Sequence, residues 1–117
     1  PGPGLATRII GEVTREKVDL VRKATAIVEQ ELKDTNAFQY LAVLMNDKAT
    51  GMRNNKRDFG NIIIVRCVDS IDARTATATK LSWEKLDRLT ERLTTELPIV
   101  RVAYDTTPKP PATIEYI

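Results

Sequence analysis

Apolar residues recur at helical spacing from Arg15 to about Lys33: Val18, Val21, Ala24, Ile27, Val28 and Leu32. Steps of three and four place them on one stripe of an α-helix. Thr14 stands before the stripe as an N-cap, and Asp34 to Asn36 close it. A second helix is predicted after Ser82, with Glu84 in its first turn, where negative charge suits a helix N-terminus. Its apolar positions are Trp83, Leu86, Leu89, Leu93 and Leu97, and Pro98 stops it.

The remaining apolar runs read as strands. Phe38 to Met45 is one and Asn61 to Val68 another, the latter built on Ile62-Ile63-Ile64-Val65. Between them Asn46 to Arg57 is polar and holds Gly51 and the pair Asn54-Asn55. Asparagine tolerates positive φ, so a hairpin turn is expected there. Leu5 to Ile10, after a stiff Pro/Gly start, gives a short first strand, and Ile99 to Thr106 a last one. Pro108, Pro110 and Pro111 then impose a stiff, extended tail ending Ile114-Glu115-Tyr116-Ile117.

The order β-α-β-β-α-β predicts an α+β fold. Two helices pack on one face of a small, mainly antiparallel sheet, and residues 1–117 form a single domain. The strand at 62–68 is apolar at odd and even positions alike, save Arg66, and the strand at 38–45 is nearly so. A sheet with one wet face alternates. The second face is therefore expected to meet something large, an isologous partner or an upstream domain, rather than the chain's own tail or hairpin.

Composition narrows the chemistry. The 117 residues carry 18 Lys and Arg against 16 Asp and Glu, a net charge of +2 that singles out neither nucleic acid nor a membrane surface as partner. No apolar run approaches the ~20 residues that cross a bilayer, and no signal-peptide pattern opens the chain; the expected location is cytoplasmic. Histidine is absent, which removes the commonest general base and metal ligand. Cys67 stands alone inside an apolar strand and reads as a buried, inert thiol. No catalytic constellation, phosphate-cradling glycine loop or metal cluster is complete, so no catalytic residue, metal or bound cofactor is assigned. Asp69, Asp72 and Arg74 read as a turn network. The opening Pro1-Gly2-Pro3-Gly4, without an initiator methionine, reads as the start of a fragment whose upstream part is missing, with residues 1–12 as the link, or else as a start left by simple methionine removal.

Two features remain. Lys48, Arg53, Lys56 and Arg57 cluster around the hairpin, as a solvated tip or as a seat for phosphate or nucleic acid. In Lys109-Pro110-Pro111-Ala112-Thr113-Ile114-Glu115 the prolines make a strap that presents a cation, a hydroxyl and a carboxylate at fixed spacing. A pre-ordered strap of this kind suits a ligand with a phosphate and hydrogen-bond donors, because little entropy is lost on binding. It equally suits an edge strand with exposed polar side chains.

At these residues the chain resembles a known family. Pro1-Gly2-Pro3-Gly4-Leu5-Ala6-Thr7-Arg8 is similar to the Pro-Gly-Pro-Gly-Leu-Ala-x-Arg segment of glutamine-hydrolysing GMP synthases, and Tyr104-Asp105 with Lys109 to Glu115 resembles their C-terminal signature. Phe38-Gln39, Gly51, Arg57, Asp72-Ala73 and Thr75-Ala76 match as well. The ending Glu115-Tyr116-Ile117, in place of Glu-Trp-Glu, looks like the archaeal type with a separate synthetase subunit. The resemblance implies the C-terminal dimerisation domain of an enzyme that makes GMP from XMP, ATP, with magnesium, and glutamine-derived ammonia. It implies a homodimer, an absent ATP-pyrophosphatase domain and a glutaminase subunit or domain as partners. Carried over by residue, Arg8 and Lys109 serve the XMP phosphate with Thr113 beside it, and Gln39, Ile114 and Glu115 lie near the ligand, the last two at the base. The competing readings are a free-standing KH-like nucleic-acid module, which needs a Gly-x-x-Gly loop that the sequence lacks, and a purely structural dimerisation domain.

Overall fold

The computed structural model describes residues 2–117. Pro1 lies outside the described residues. The elements are α1 (Gly2–Ala6), α2 (Arg15–Leu32), a 3-10 turn (Lys33–Thr35), β1 (Gln39–Arg53), β2 (Lys56–Asp69), β3 (Thr77–Ala78), α3 (Trp83–Glu96) and β4 (Ile99–Tyr104).

Both long helices start where their caps predict. Thr14 Oγ1 accepts from the Lys17 amide at 3.2 Å, and Ser82 Oγ from the Lys85 amide at 3.1 Å. Val21, Ala24, Ile27, Val28 and Leu32 of α2 and Leu89 and Leu93 of α3 are buried. They cover one face of the sheet together with Ala42, Leu44, Ile63, Val65, Cys67 and Ile99. Trp83 departs from the expected core stripe and is 79% exposed. As the first residue of α3 it overhangs the sheet and lines an apolar groove with Leu86, Tyr104 and Pro108.

β2 is central. It pairs antiparallel with β1 on one side; on the other it pairs parallel with β4 and antiparallel with the short β3. The hairpin turn falls at Asn54 and Asn55, both at positive φ (53° and 63°), as a two-residue primed turn requires. Its strands run further than the apolar pattern indicates, because beyond a register shift between Leu44 and Lys48 the largely polar residues 48–53 and 56–61 remain paired up to Arg53↔Lys56. This arm curls against β4: a Cβ at Gly51 or Gly60 would fall 2.7 Å from a side-chain carbon of Val100.

Two expectations are corrected. Leu5–Ile10 is not a strand. The start of the chain turns as α1, and its backbone meets the sheet in a single parallel bridge, Ile9 to Leu44 on the outer edge of β1, closed by the Leu44 amide donating to Arg8 O and the Ile10 amide donating to Leu44 O. Leu5 and Ile9 are buried in the helix-side core. Nor is the second face of the sheet bare. Leu41, Val43 and Val68 pack there against Ala76 and Ile114, flanked by Ile10, Ala73 and Tyr116. The proline-rich tail folds back over the doubly apolar strands, so the cover comes from the chain itself. The packing partners lie far apart in sequence, which local pattern does not reveal.

Candidate functional site

The tail is fastened to the sheet at two places. Lys109 makes an isolated two-bond bridge to Ala76 (2.9 and 3.0 Å), and its Nζ donates to the Ala73 carbonyl at 2.7 Å. Ala73 adopts a left-handed conformation (φ 67°), uncommon for a residue with a side chain. The loop that carries it is braced by Ser70 Oγ, which donates to Thr75 O and accepts from the Ala73 amide, and by Asp72, which accepts from the Arg74 amide. The turn network expected around Asp69, Asp72 and Arg74 thus serves to present a carbonyl to Lys109.

The second fastening is Arg66. Its side chain is fully buried and donates to the carbonyls of Thr107, Thr113 and Ile114. Asp105 stands 3.5 Å from the guanidinium and accepts the Tyr116 hydroxyl. Burial alone would raise the Asp105 carboxyl, but hydrogen bonds from Tyr116 and Thr107 and the charge of Arg66 outweigh it and hold the group below its usual range. Tyr116 is pushed up to about 12, first by burial and then by its bond to the Asp105 carboxylate.

These fastenings bring part of the expected site together. Arg8 meets Glu115 through a fork: Nε to Oε1 at 3.2 Å and Nη2 to Oε2 at 2.9 Å. Gln39, the first residue of β1, donates from Nε2 to the same Oε2 at 2.8 Å. Three remote segments converge on one carboxylate. Thr113 adjoins them, its hydroxyl donating to the Glu115 carbonyl, and Ile114 is buried beneath in the second core cluster. Thr113 and Glu115 border a cleft of about 440 Å³ with Asp105, Pro111, Ala112 and Tyr116. Lys109 stands apart: among the described residues no hydrogen bond joins it to the Arg8–Gln39–Glu115 group.

The chemistry left open is polar binding. Two of the five guanidinium N–H groups of Arg8 are committed to Glu115, and among the described residues no hydrogen bond engages the other three. The Lys109 ammonium keeps two donors beyond its bond to Ala73. Of the hairpin cations, Arg53 is withdrawn into structure, bonded to Asp58 and to the carbonyls of Thr94 and Ile99. Cys67 is buried and its thiol is pushed up by desolvation, unfavourable to a nucleophile. Among the described residues no group of three or more His, Cys, Asp or Glu is placed to hold a metal ion, and no helix is long and apolar enough to cross a membrane. Residue reading alone left Arg66 and Tyr116 without roles. The signal for Arg66 was present, as the sole charge within an apolar strand.

Comparison with known proteins agrees with these motifs. The GMP synthase C terminal domain family matches residues 25–116. Among relatives named as one subunit of a glutamine-hydrolysing GMP synthase, that of Archaeoglobus fulgidus is 55% identical over 117 residues, and that of Methanocella arvoryzae 54% over 118. Each alignment covers 99% of this chain and 38% of the relative. The glutamine-hydrolysing GMP synthase of Aeropyrum pernix, whose name specifies no subunit, is 48% identical, with 99% of this chain and 24% of that protein aligned. The chain therefore spans about two fifths of the length of the separate-subunit relatives it matches, and it belongs to the GMP synthase C-terminal domain family.

Proposed function

We propose that this chain is the C-terminal part of a GMP synthase that converts XMP to GMP with ATP and glutamine-derived ammonia. In this reading it pairs two subunits and supplies part of the XMP site. Residues 1–12 are the link from an ATP-pyrophosphatase domain, which takes ATP and magnesium. The glutaminase is a separate polypeptide, in keeping with relatives named as one subunit of the enzyme. The single observation that supports the site most is the meeting of Arg8, Gln39 and Glu115, three residues that the family resemblance assigns to the ligand. Arg8 and Lys109 bind the phosphate, Thr113 lies beside it, and Ile114 and Glu115 lie at the base. An ionised Glu115 accepts only, so its remaining lone pairs suit ring N–H groups.

Pairing of subunits is supported by apolar surface that the fold leaves uncovered. Met52 and Phe59, both 69% exposed, lie on one face of the hairpin arm, since their cross-strand pairs, Met52↔Arg57 and Thr50↔Phe59, are two positions apart and side chains alternate faces along a strand.

A second reading has its own observation. Arg8 and Glu115 satisfy each other in a bidentate pair, which is also what a purely structural clasp looks like. Kinetics of Glu115→Gln with XMP varied separates the two readings, and the overall function has its own assay. The complete enzyme, given XMP, ATP, magnesium and ammonia, forms GMP, and the present chain alone forms none. Failure of the complete enzyme to form GMP contradicts the function; magnesium-dependent AMP release by the isolated chain contradicts the division of labour.

A further inference from the structure

We propose that Arg66 is a positioning residue for XMP, acting from behind the tail without touching the ligand. The proposal rests on the reading that Thr113, Ile114 and Glu115 serve the XMP site. A buried guanidinium needs partners for its donors. Each of the three nitrogens of Arg66 finds a carbonyl in the returning tail: Nε to Ile114 O at 2.9 Å, Nη1 to Thr107 O at 2.8 Å, Nη2 to Thr113 O at 2.9 Å, with Asp105 Oδ2 at 3.5 Å.

The consequence reaches the other side of the tail. A trans peptide is planar, with its N–H directed opposite its carbonyl. The cis bonds of the tail are Lys109–Pro110 and Pro110–Pro111, so the peptides after Thr113 and Ile114 are trans. With the Thr113 carbonyl held on Arg66, the Ile114 N–H faces away from Arg66; with the Ile114 carbonyl held, so does the Glu115 N–H. Neither N–H donates to the backbone of a described residue. The same two planes set the start of the Glu115 side chain, whose carboxylate meets Arg8 and Gln39. One planar fork therefore orients two successive backbone donors and an adjacent carboxylate.

Lysine in place of Arg66 keeps the charge but has one nitrogen, which cannot hold three carbonyls in one plane. The test is steady-state kinetics of the complete enzyme carrying Arg66→Lys, with XMP and then ATP varied. The Michaelis constant for XMP rises about tenfold or more, the effect of one charged hydrogen bond or its equivalent. Turnover at saturating XMP and the ATP requirement stay within about twofold of wild type. Adding Glu115→Gln raises the XMP requirement less in the Arg66→Lys background than in wild type, because both changes act on one end of the tail. A folded Arg66→Lys enzyme with the wild-type XMP requirement overturns the proposal. So does a parallel loss in turnover and in both Michaelis constants, the mark of general destabilisation. If Arg66→Lys does not fold, Asp105→Asn is assayed instead; a smaller rise in the same direction supports the role and no rise overturns it. If the wild-type enzyme forms no GMP, the site reading falls separately, and anchoring is judged by carboxypeptidase: the last residues resist release in wild type and are released from the variant, equal release overturning the proposal.

Discussion

Arg8 and Glu115, separated by 107 positions in the chain, close on each other through two hydrogen bonds of 3.2 and 2.9 Å. The pair ties the start of the chain to its tail across the outer edge of β1. The side chains are 18% and 34% exposed, so solvent screens the pair in part. A double-mutant cycle with Arg8→Ala and Glu115→Gln, read by chemical denaturation, is expected to give a coupling of about 1 kcal/mol, near the top of the range for exposed pairs because the geometry is bidentate. Additive losses mean that the two groups do not act together.

Alkaline pH loosens the tail. Tyr116 titrates from 10.0 in a free chain to about 12 in the fold. Its folded value is raised, so the associated stability is complete below pH 10 and is lost as pH rises through about 12. Tyr104, pushed up by burial, titrates in the same direction, so Tyr116→Phe shrinks the alkaline slope without abolishing it. Asp105 acts at the opposite end: its depressed value gives stability that is present above 3.8 and lost as pH falls below it. Denaturation midpoints across both windows check the signs. A Tyr116→Phe protein with an unchanged alkaline slope contradicts the assignment.

Self-association is expected through the surface that remains apolar. Light scattering at micromolar concentration is predicted to give twice the mass of one chain. Replacing Met52 and Phe59 together by serine shifts the equilibrium toward monomer if the hairpin arm takes part, since both side chains are largely exposed in the single chain. A wild-type monomer under these conditions counts against pairing by this domain.

The helices and the turn were legible in the sequence because their determinants are local. Thr14 and Ser82 cap the helices, the Leu and Val stripes repeat, and Asn54-Asn55 accepts positive φ. The α+β order was legible for the same reason. The start of the chain was not: Leu5 and Ile9 are buried in the helix-side core, yet the short apolar run containing them does not distinguish strand from helix. As cover for the second face, the sequence ranks the fold-back of the tail below a partner or an upstream domain, because the fold-back depends on Arg66, which meets its partners 41 to 48 positions away. Trp83 matched the apolar period but overhangs the sheet, a consequence of where α3 begins. For the site, motif resemblance named Arg8, Gln39 and Glu115; only the folded tail brings them to one carboxylate.

The central claim is that the tail supplies the XMP site, and the most direct measurement is kinetics of the complete enzyme with XMP varied at saturating ATP and ammonia. Lys109→Ala removes an ammonium held at the Ala73 carbonyl, and Glu115→Gln exchanges one acceptor for a donor at the convergence point. Lys109→Ala is predicted to weaken XMP binding by about 1.5–3 kcal/mol, the usual worth of a charged hydrogen bond. Glu115→Gln is predicted to raise the XMP requirement as well, and neither change alters the ATP requirement. Wild-type Michaelis constants and turnover in both variants contradict the account and leave the tail a structural cover for the sheet.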